Sequence, residues 1–248
     1  MDRLENLKNI IMYLMADEHV SHRIPSTLEE RQRMMRALMN VWEPRLIAED
    51  FLTMQDAELL MQREDKGVVE VHDEGLTIWQ GDITRLKVDA IVNAANAQAL
   101  GCWAPLHNCI DNCIHSAAGI QLRKECADKM QGRLLATGDA FITQGYNLPA
   151  RHVIHTVGPI IPDGIPTKEQ EEQLAQCYRS CLDLAEQNGL ESIAFCCIST
   201  GVFHFPNELA ARIAIETVKS YPRHALKTIV FNVFLDKDRD IYQQLLGA

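Results

Sequence analysis

No stretch of this 248-residue sequence is long and apolar enough to span a membrane. The opening segment "MDRLENLKNIIMYLMADE" has its apolar run broken by charges, so it does not read as a secretory leader. Basic residues are in deficit: 24 Lys and Arg against 34 Asp and Glu give a formal charge of −10. A surface of that sign repels phosphate backbones and argues against general nucleic-acid binding. Internal repeats and low-complexity tracts are absent. The expectation is a cytoplasmic protein without membrane or nucleic-acid partners. In that compartment the eight cysteines are reduced, and clustered Cys and His point to metal or catalysis rather than disulfides.

What is there divides in two. Residues 1–66 read as a helical extension. Leu4, Leu7, Ile10, Ile11 and Leu14 recur at helical spacing. Ser26 followed by Glu29 gives a capping-box pattern for a second helix, and Pro44 is placed to end it and open a third. An apolar helical face needs a surface to bury, so the extension is expected to cover the sheet. Residues 67–248 change character. "LTIWQGDI", "VDAIVNAAN", "DAFITQG", "RHVIHTVGP", "SIAFCCIST" and "KTIVFNVFL" are short runs rich in β-branched and aromatic residues, with longer helical patterns between them. Such alternation predicts an α/β fold around a mostly parallel sheet covered on both faces.

Several strands end in residues that a buried sheet does not need: "GDIT" (Gly81–Thr84), "NAAN" (Asn93–Asn96) and "CISTGVFHFP" (Cys197–Pro206). Open α/β sheets bind ligands at the carboxyl ends of their strands. A Ser-Thr-Gly loop opening into "PNELAARIA" suits a phosphate, because glycine lets backbone N–H groups approach closely.

Taken together, "GDITRLKVDAIVNAAN", "DNCIHSAAG", "CISTGVFHFP" and "IVFNVFLDKDRDIYQQLL" resemble the macrodomain family, and within it the MacroD-type class. The resemblance implies a three-layer α/β/α fold with a mixed, mostly parallel sheet that binds ADP-ribose. It implies that Asp82 and Ile83 hold the adenine and that Asn96 bonds the distal ribose. Ser199, Thr200, Gly201, Val202 and Phe203 would wrap the diphosphate, and Asp111 stands at the family's catalytic acidic position. The implied activity is hydrolysis of mono-ADP-ribose from modified protein side chains. A non-catalytic ADP-ribose reader and an O-acetyl-ADP-ribose deacetylase use the same pocket and are the alternatives.

One segment departs from the common pattern. Between Asn96 and Asp111 the usual glycine run is replaced by "AQALGCWAPLHNCI", with Cys102, His107 and Cys109 in a C-x4-H-x-C arrangement. Thiolates and imidazole are good Zn²⁺ ligands, and three protein ligands leave the open fourth position of a catalytic site. The same residues also read as two small buried cysteines and a satisfied histidine. The departure resembles the zinc-containing macrodomains found beside a bacterial class of protein-modifying sirtuins, which also carry an amino-terminal helical extension. That resemblance implies Zn²⁺ on Cys102, His107 and Cys109, and a target of the lipoyl-carrier type. Cys113 is read as helix-buried core and His115 as structural, Cys126, Cys177, Cys181, Cys196 and Cys197 as core, and His152 and His155 receive no role.

Overall fold

Six apolar runs pair into one sheet because each is short, rich in β-branched residues and bounded by turn residues. The computed structural model describes residues 2–247. Three helices come first: α1 (Arg3–Asp17), α2 (Leu28–Val41) and α3 (Glu49–Lys66). Then follow β1 (Val69–Glu70), β2 (Gly75–Gln80), β3 (Leu86–Lys87), β4 (Ala90–Ala94), α4 (Ile110–Ala118), α5 (Ile120–Met130), β5 (Ala140–Gln144) and β6 (His152–Thr156). The chain closes with α6 (Lys168–Gln187), β7 (Ser192–Phe195), α7 (Asn207–Ser220), β8 (Thr228–Val233) and α8 (Asp236–Leu246).

The sheet runs β2-β8-β7-β4-β6-β5. Only β5 is antiparallel to its neighbour; β1 and β3 form a separate parallel pair. Helices α4 and α5 pack on one layer, and α6, α7 and α8 on the other, giving the α/β/α sandwich. The central strands read as continuous apolar runs because both faces are covered: all six residues of β8 are buried.

The extension builds its own core. Leu7, Ile10, Ile11 and Leu14 of α1 are fully buried against Met35, Leu38, Met39, Trp42, Phe51 and Leu59, joined by Ile120 of α5. It therefore does not cover the sheet, as its amphipathic face suggested; it rests on α4 and the start of α5. The reason is that its apolar stripe is already satisfied within three helices, so polar groups carry most of the remaining junction.

Two local expectations are also corrected. The cap of α2 is Thr27, not Ser26: Glu30 N donates to Thr27 Oγ1 at 3.3 Å. The S/T-x-x-E pattern occurs twice, offset by one residue, and Thr27 is the residue with extended backbone at the helix start. The third helix opens at Glu49 rather than at Pro44. Trp42 Nε1 donates to Asp17 Oδ2 at 2.8 Å and Arg45 Nη1 to Asp17 O at 2.9 Å, which pins the intervening segment to the end of α1 in extended form.

Candidate active site

Five parallel strands point their carboxyl ends the same way, so their exit loops meet along one edge. That edge receives Asp82 and Ile83 after β2, Asn96 after β4, Gly158 after β6, Ser199–Phe203 after β7 and Phe234 after β8. Asp82 caps a 3-10 turn, accepting from Thr84 N at 3.0 Å and Thr84 Oγ1 at 2.6 Å. Its other oxygen faces Lys66 Nζ of α3 at 3.3 Å. Burial raises the pKa of this carboxyl, but the Thr84 hydroxyl and the Lys66 charge outweigh it, so Asp82 stays below its ordinary value. Ile83 is buried beneath it.

The loop after β7 is held open by unusual backbone. Ser199 has φ of 65° and His204 of 57°, and Phe205 N donates to Ser199 O at 3.0 Å. Gly158 approaches so closely that a Cβ there would lie 2.0 Å from Ser199 Oγ, so only glycine fits. The Ser199 hydroxyl is buried without a partner, while Gly201 and Val202 are exposed. The amides of Gly201, Val202 and Phe203 make no hydrogen bond to any described residue, which leaves them for an anion. Phe234 was not singled out in the sequence; it is 71% exposed just after β8, where Gln80 Nε2 donates to its carbonyl at 3.3 Å, and an aromatic closing the apolar run "KTIVFNVFL" was the available signal.

Asp111 lies on the first turn of α4 and is buried. Asn93 Nδ2 donates to its Oδ1 at 2.7 Å. The same nitrogen lies 3.1 Å from His155 Nδ1, and His155 Nε2 lies 2.9 Å from Thr143 Oγ1. These partners fix the tautomer: Nδ1 accepts from Asn93, and Nε2–H donates to Thr143. Burial pushes Asp111 up to about 6, opposed by the Asn93 hydrogen bond and the Arg123 charge. Burial takes His155 down to about 3 and, with the neighbouring His155 and Arg123, depresses His115 well below its ordinary value, so both imidazoles are neutral at pH 7. His115, Cys126 and His155 form a compact buried group, but both His155 nitrogens are engaged, so it is framework rather than a ligand set.

Cys102, His107 and Cys109 come together. Their ligand atoms all lie within 4.8 Å of one another, and Cys102 Sγ is 3.7 Å from His107 Nδ1. Tetrahedral zinc with ordinary bond lengths separates S and N ligands by about 3.6 Å, so the residues fit the ion. Among the described residues no fourth histidine, cysteine or carboxylate joins the group. Cys109 also caps α4, its sulfur accepting from Asn112 N at 3.4 Å. Burial pushes its thiol up to about 12, against the pull of the Asn112 N–H and with the push of Cys102.

Asn96 connects this loop to the strand edge. Its Oδ1 accepts from Gln98 N at 3.0 Å and Ala99 N at 3.1 Å, and its Nδ2 donates to Gly101 O at 3.2 Å. Gly101, with φ of 83°, sits where a Cβ would press 2.8 Å from the His115 ring. Asn96 thus shapes the turn into the cysteine loop and retains one amide hydrogen. Cys113, expected in the core, is half-buried with Arg36 Nη2 3.8 Å away. Of the five cysteines read as core, Cys197 alone is half-buried and the rest are buried.

A three-layer α/β/α sandwich whose polar, glycine-bearing loops converge at the carboxyl edge of a parallel sheet is a nucleotide-binding architecture. The Macro domain profile matches residues 92–214. A protein-ADP-ribose hydrolase of Staphylococcus aureus is 44% identical, aligned over 98% of this chain and 97% of its own length. One from Treponema medium is 46% identical over 96% and 97%. Among solved structures, the Oceanobacillus iheyensis macrodomain with ADP is 40% identical with a TM-score of 0.63, covering 71% of this chain and 92% of that one. The Trypanosoma brucei macrodomain in complex with ADP-ribose is 30% identical with a TM-score of 0.65, covering 86% and 95%. The chain belongs to the macro domain family. Among the described residues no helix is long and apolar enough to cross a membrane.

Proposed function

We propose that this chain is a protein-ADP-ribose hydrolase that removes mono-ADP-ribose from modified side chains, with Zn²⁺ bound by Cys102, His107 and Cys109. The observation that carries it is the placement of four elements around one strand edge: a carboxylate-bearing turn at Asp82, an open amide loop at 199–203, a buried acid at Asp111 and a three-donor Cys–His loop. Full-length likeness to relatives bearing that activity in their names supports the reading.

In this reading Asp82 accepts from the adenine above Ile83, and the Phe234 ring supplies an apolar face for the base. The amides of Gly201, Val202 and Phe203 take the diphosphate. Fixing the nucleotide at these two remote points sets the distal ribose over α4, converting remote binding into orientation of the anomeric carbon. The remaining amide hydrogen of Asn96 orients a ribose hydroxyl. Asn93 holds Asp111 by Oδ1, which leaves Oδ2 to take a proton from water; the water oxygen bonds to the anomeric carbon as the glycosidic bond breaks through an oxocarbenium-like state, and the acceptor side chain departs with the bonding electron pair. The chemistry that zinc supplies when bound is Lewis acidity, which acidifies water and polarises oxygen ligands. Cys102, His107 and Cys109 would hold the ion, and a set of only three protein donors would suit this chemistry better than a purely structural role.

The substrate class is a mono-ADP-ribosylated protein, with a lipoyl-carrier-type protein as the first target to assay. Release of free ADP-ribose from that protein, measured with and without chelator, tests the reading. Tight ADP-ribose binding without release would make the chain a reader instead. Turnover of O-acetyl-ADP-ribose alone would make it a deacetylase.

A further inference from the structure

The segment Cys102–Cys109 contains no helix or strand, yet four of its backbone groups are hydrogen-bonded by side chains from outside it. Leu106 N donates to Asn40 Oδ1 at 2.9 Å, and Arg36 Nη2 donates to His107 O at 2.8 Å. Asn112 Nδ2 donates to Ala104 O at 2.9 Å, while Arg36 Nε and Nη2 hold Asn112 Oδ1 at 3.2 and 2.8 Å. Arg123 Nη2 donates to Cys102 O at 3.4 Å, and its guanidinium lies 4.2 Å from the centroid of Trp103. That guanidinium is itself fastened to the end of α2, donating to Met39 O, Asn40 O and Trp42 O at 3.2, 2.9 and 2.8 Å. Every one of these four supports is either a side chain of α2 or a side chain that α2 holds.

Asn40 is buried at 1% exposure, and its Nδ2 donates to Ser116 Oγ of α4 at 3.0 Å. It therefore ties together α2, α4 and the loop. Leu106, the residue it caps, has φ of 60°, a left-handed conformation that a leucine adopts only when its surroundings enforce it.

We propose that Asn40 and Arg36 are positioning residues for the metal ligands: α2 of the helical extension holds the loop in ligand-ready form before zinc arrives. The inference rests on the zinc reading above. A loop ordered in advance does not lose its conformational freedom at the moment of binding, so its metal affinity is higher. Groups just outside a metal's ligands typically change affinity by about 10- to 100-fold when removed.

The test uses the full chain and three variants, Asn40→Ala, Arg36→Ala and Asn40→Asp. Zinc affinity is read by chelator competition. In metal-free protein, the rate of alkylation of Cys102 and Cys109 is read by mass mapping against the buried Cys177 and Cys181. Asn40→Ala and Arg36→Ala should weaken zinc about 10-fold or more. They should also expose Cys102 and Cys109 to faster alkylation, with Cys177 and Cys181 unchanged. Asn40→Asp keeps an acceptor for Leu106 N–H and should recover most of both. A merely structural junction would lower the melting temperature without moving either readout. Folded variants with wild-type zinc affinity overturn the proposal alone. A wild-type chain that takes up no zinc overturns the metal reading and this proposal with it. Should Asn40→Ala fail to fold, the half-buried Arg36 carries the same test.

Discussion

Asn93 Nδ2 donates to Asp111 Oδ1 at 2.7 Å, joining the end of β4 to the first turn of α4. The second hydrogen of that amide goes to His155 Nδ1 at 3.1 Å, so neither Asn93 nor Asp111 can turn independently. Asp111→Asn should therefore cut ADP-ribose release by about 100-fold or more while ADP-ribose affinity, measured by calorimetry, stays within a few-fold of wild type. Asn93→Ala should lower kcat and also cost about 1–3 kcal/mol of stability, because it strands a buried carboxyl and a buried imidazole. Unchanged turnover in Asp111→Asn would remove the carboxylate from the chemistry.

Acid should destabilise the metal-free protein from about pH 6.5 downward. His155 has a folded value of about 3, and His115 is likewise depressed, while an unfolded histidine titrates at about 6.5. Below that value the unfolded chain binds more protons, so stability falls with pH, by at most about 1.4 kcal/mol per unit per imidazole. Asp111 works the other way. Its folded value of about 6 exceeds its ordinary one, so it gains stability as pH falls from 6 towards 4. Two imidazoles against one carboxyl leave a net loss. Denaturant melts at pH 7.5 and pH 5.0 should show the lower midpoint at pH 5.0; equal midpoints would show that the buried imidazoles are not neutral.

Gly158→Ala should loosen the 199–203 loop, which is proposed to bind the diphosphate. The added methyl would meet Ser199 Oγ at 2.0 Å, and Ser199 already carries positive φ, so the 199–203 loop must shift. ADP-ribose affinity is expected to fall about 10-fold or more, with a lower melting temperature, since overpacking costs about 1–3 kcal/mol. Calorimetric titration of the folded variant checks this.

Substitution of the proposed zinc ligands should separate binding from turnover. Cys102→Ser, His107→Ala and Cys109→Ser are each expected to abolish stoichiometric zinc by elemental analysis and to reduce ADP-ribose release by about 100-fold or more. ADP-ribose affinity should survive, because Asp82, Phe234 and the 199–203 loop lie on other strand ends. Full turnover in chelator-treated protein would exclude zinc from the reaction.

Phe234→Ala should weaken ADP-ribose by about 10-fold, in line with an aromatic face of about 1–3 kcal/mol against a base. Phe234→Tyr should preserve affinity. Equal affinity in all three proteins would place the adenine elsewhere.

Much of this was legible in one dimension. The six strand runs and the helices between them follow from local periodicity and turn residues, and each formed where the pattern put it. The strand ends that carry Asp82, Asn96 and Ser199–Phe203 stood out because polar residues interrupt apolar runs there, while the roles given to those residues came only from the family resemblance. The C-x4-H-x-C spacing is short enough that its donor atoms converge within 4.8 Å almost as read. The cap of α2 was misplaced by one residue, since overlapping S/T-x-x-E patterns are locally equivalent and only the backbone conformation selects Thr27.

Sequence by itself determined the α/β order, the exposed character of the strand ends and the donor chemistry of the 102–109 loop, because each depends on neighbours a few residues apart. Tertiary structure alone decided that Asn93, Asp111 and His155 form one buried chain of hydrogen bonds, and that Asn40 and Arg36 hold loop residues 66 and 71 positions away. No periodicity encodes those pairings. They exist because α2, having buried its apolar face within its own three-helix core, turns its remaining polar groups onto α4, where unpaired backbone amides and carbonyls of the loop must find partners.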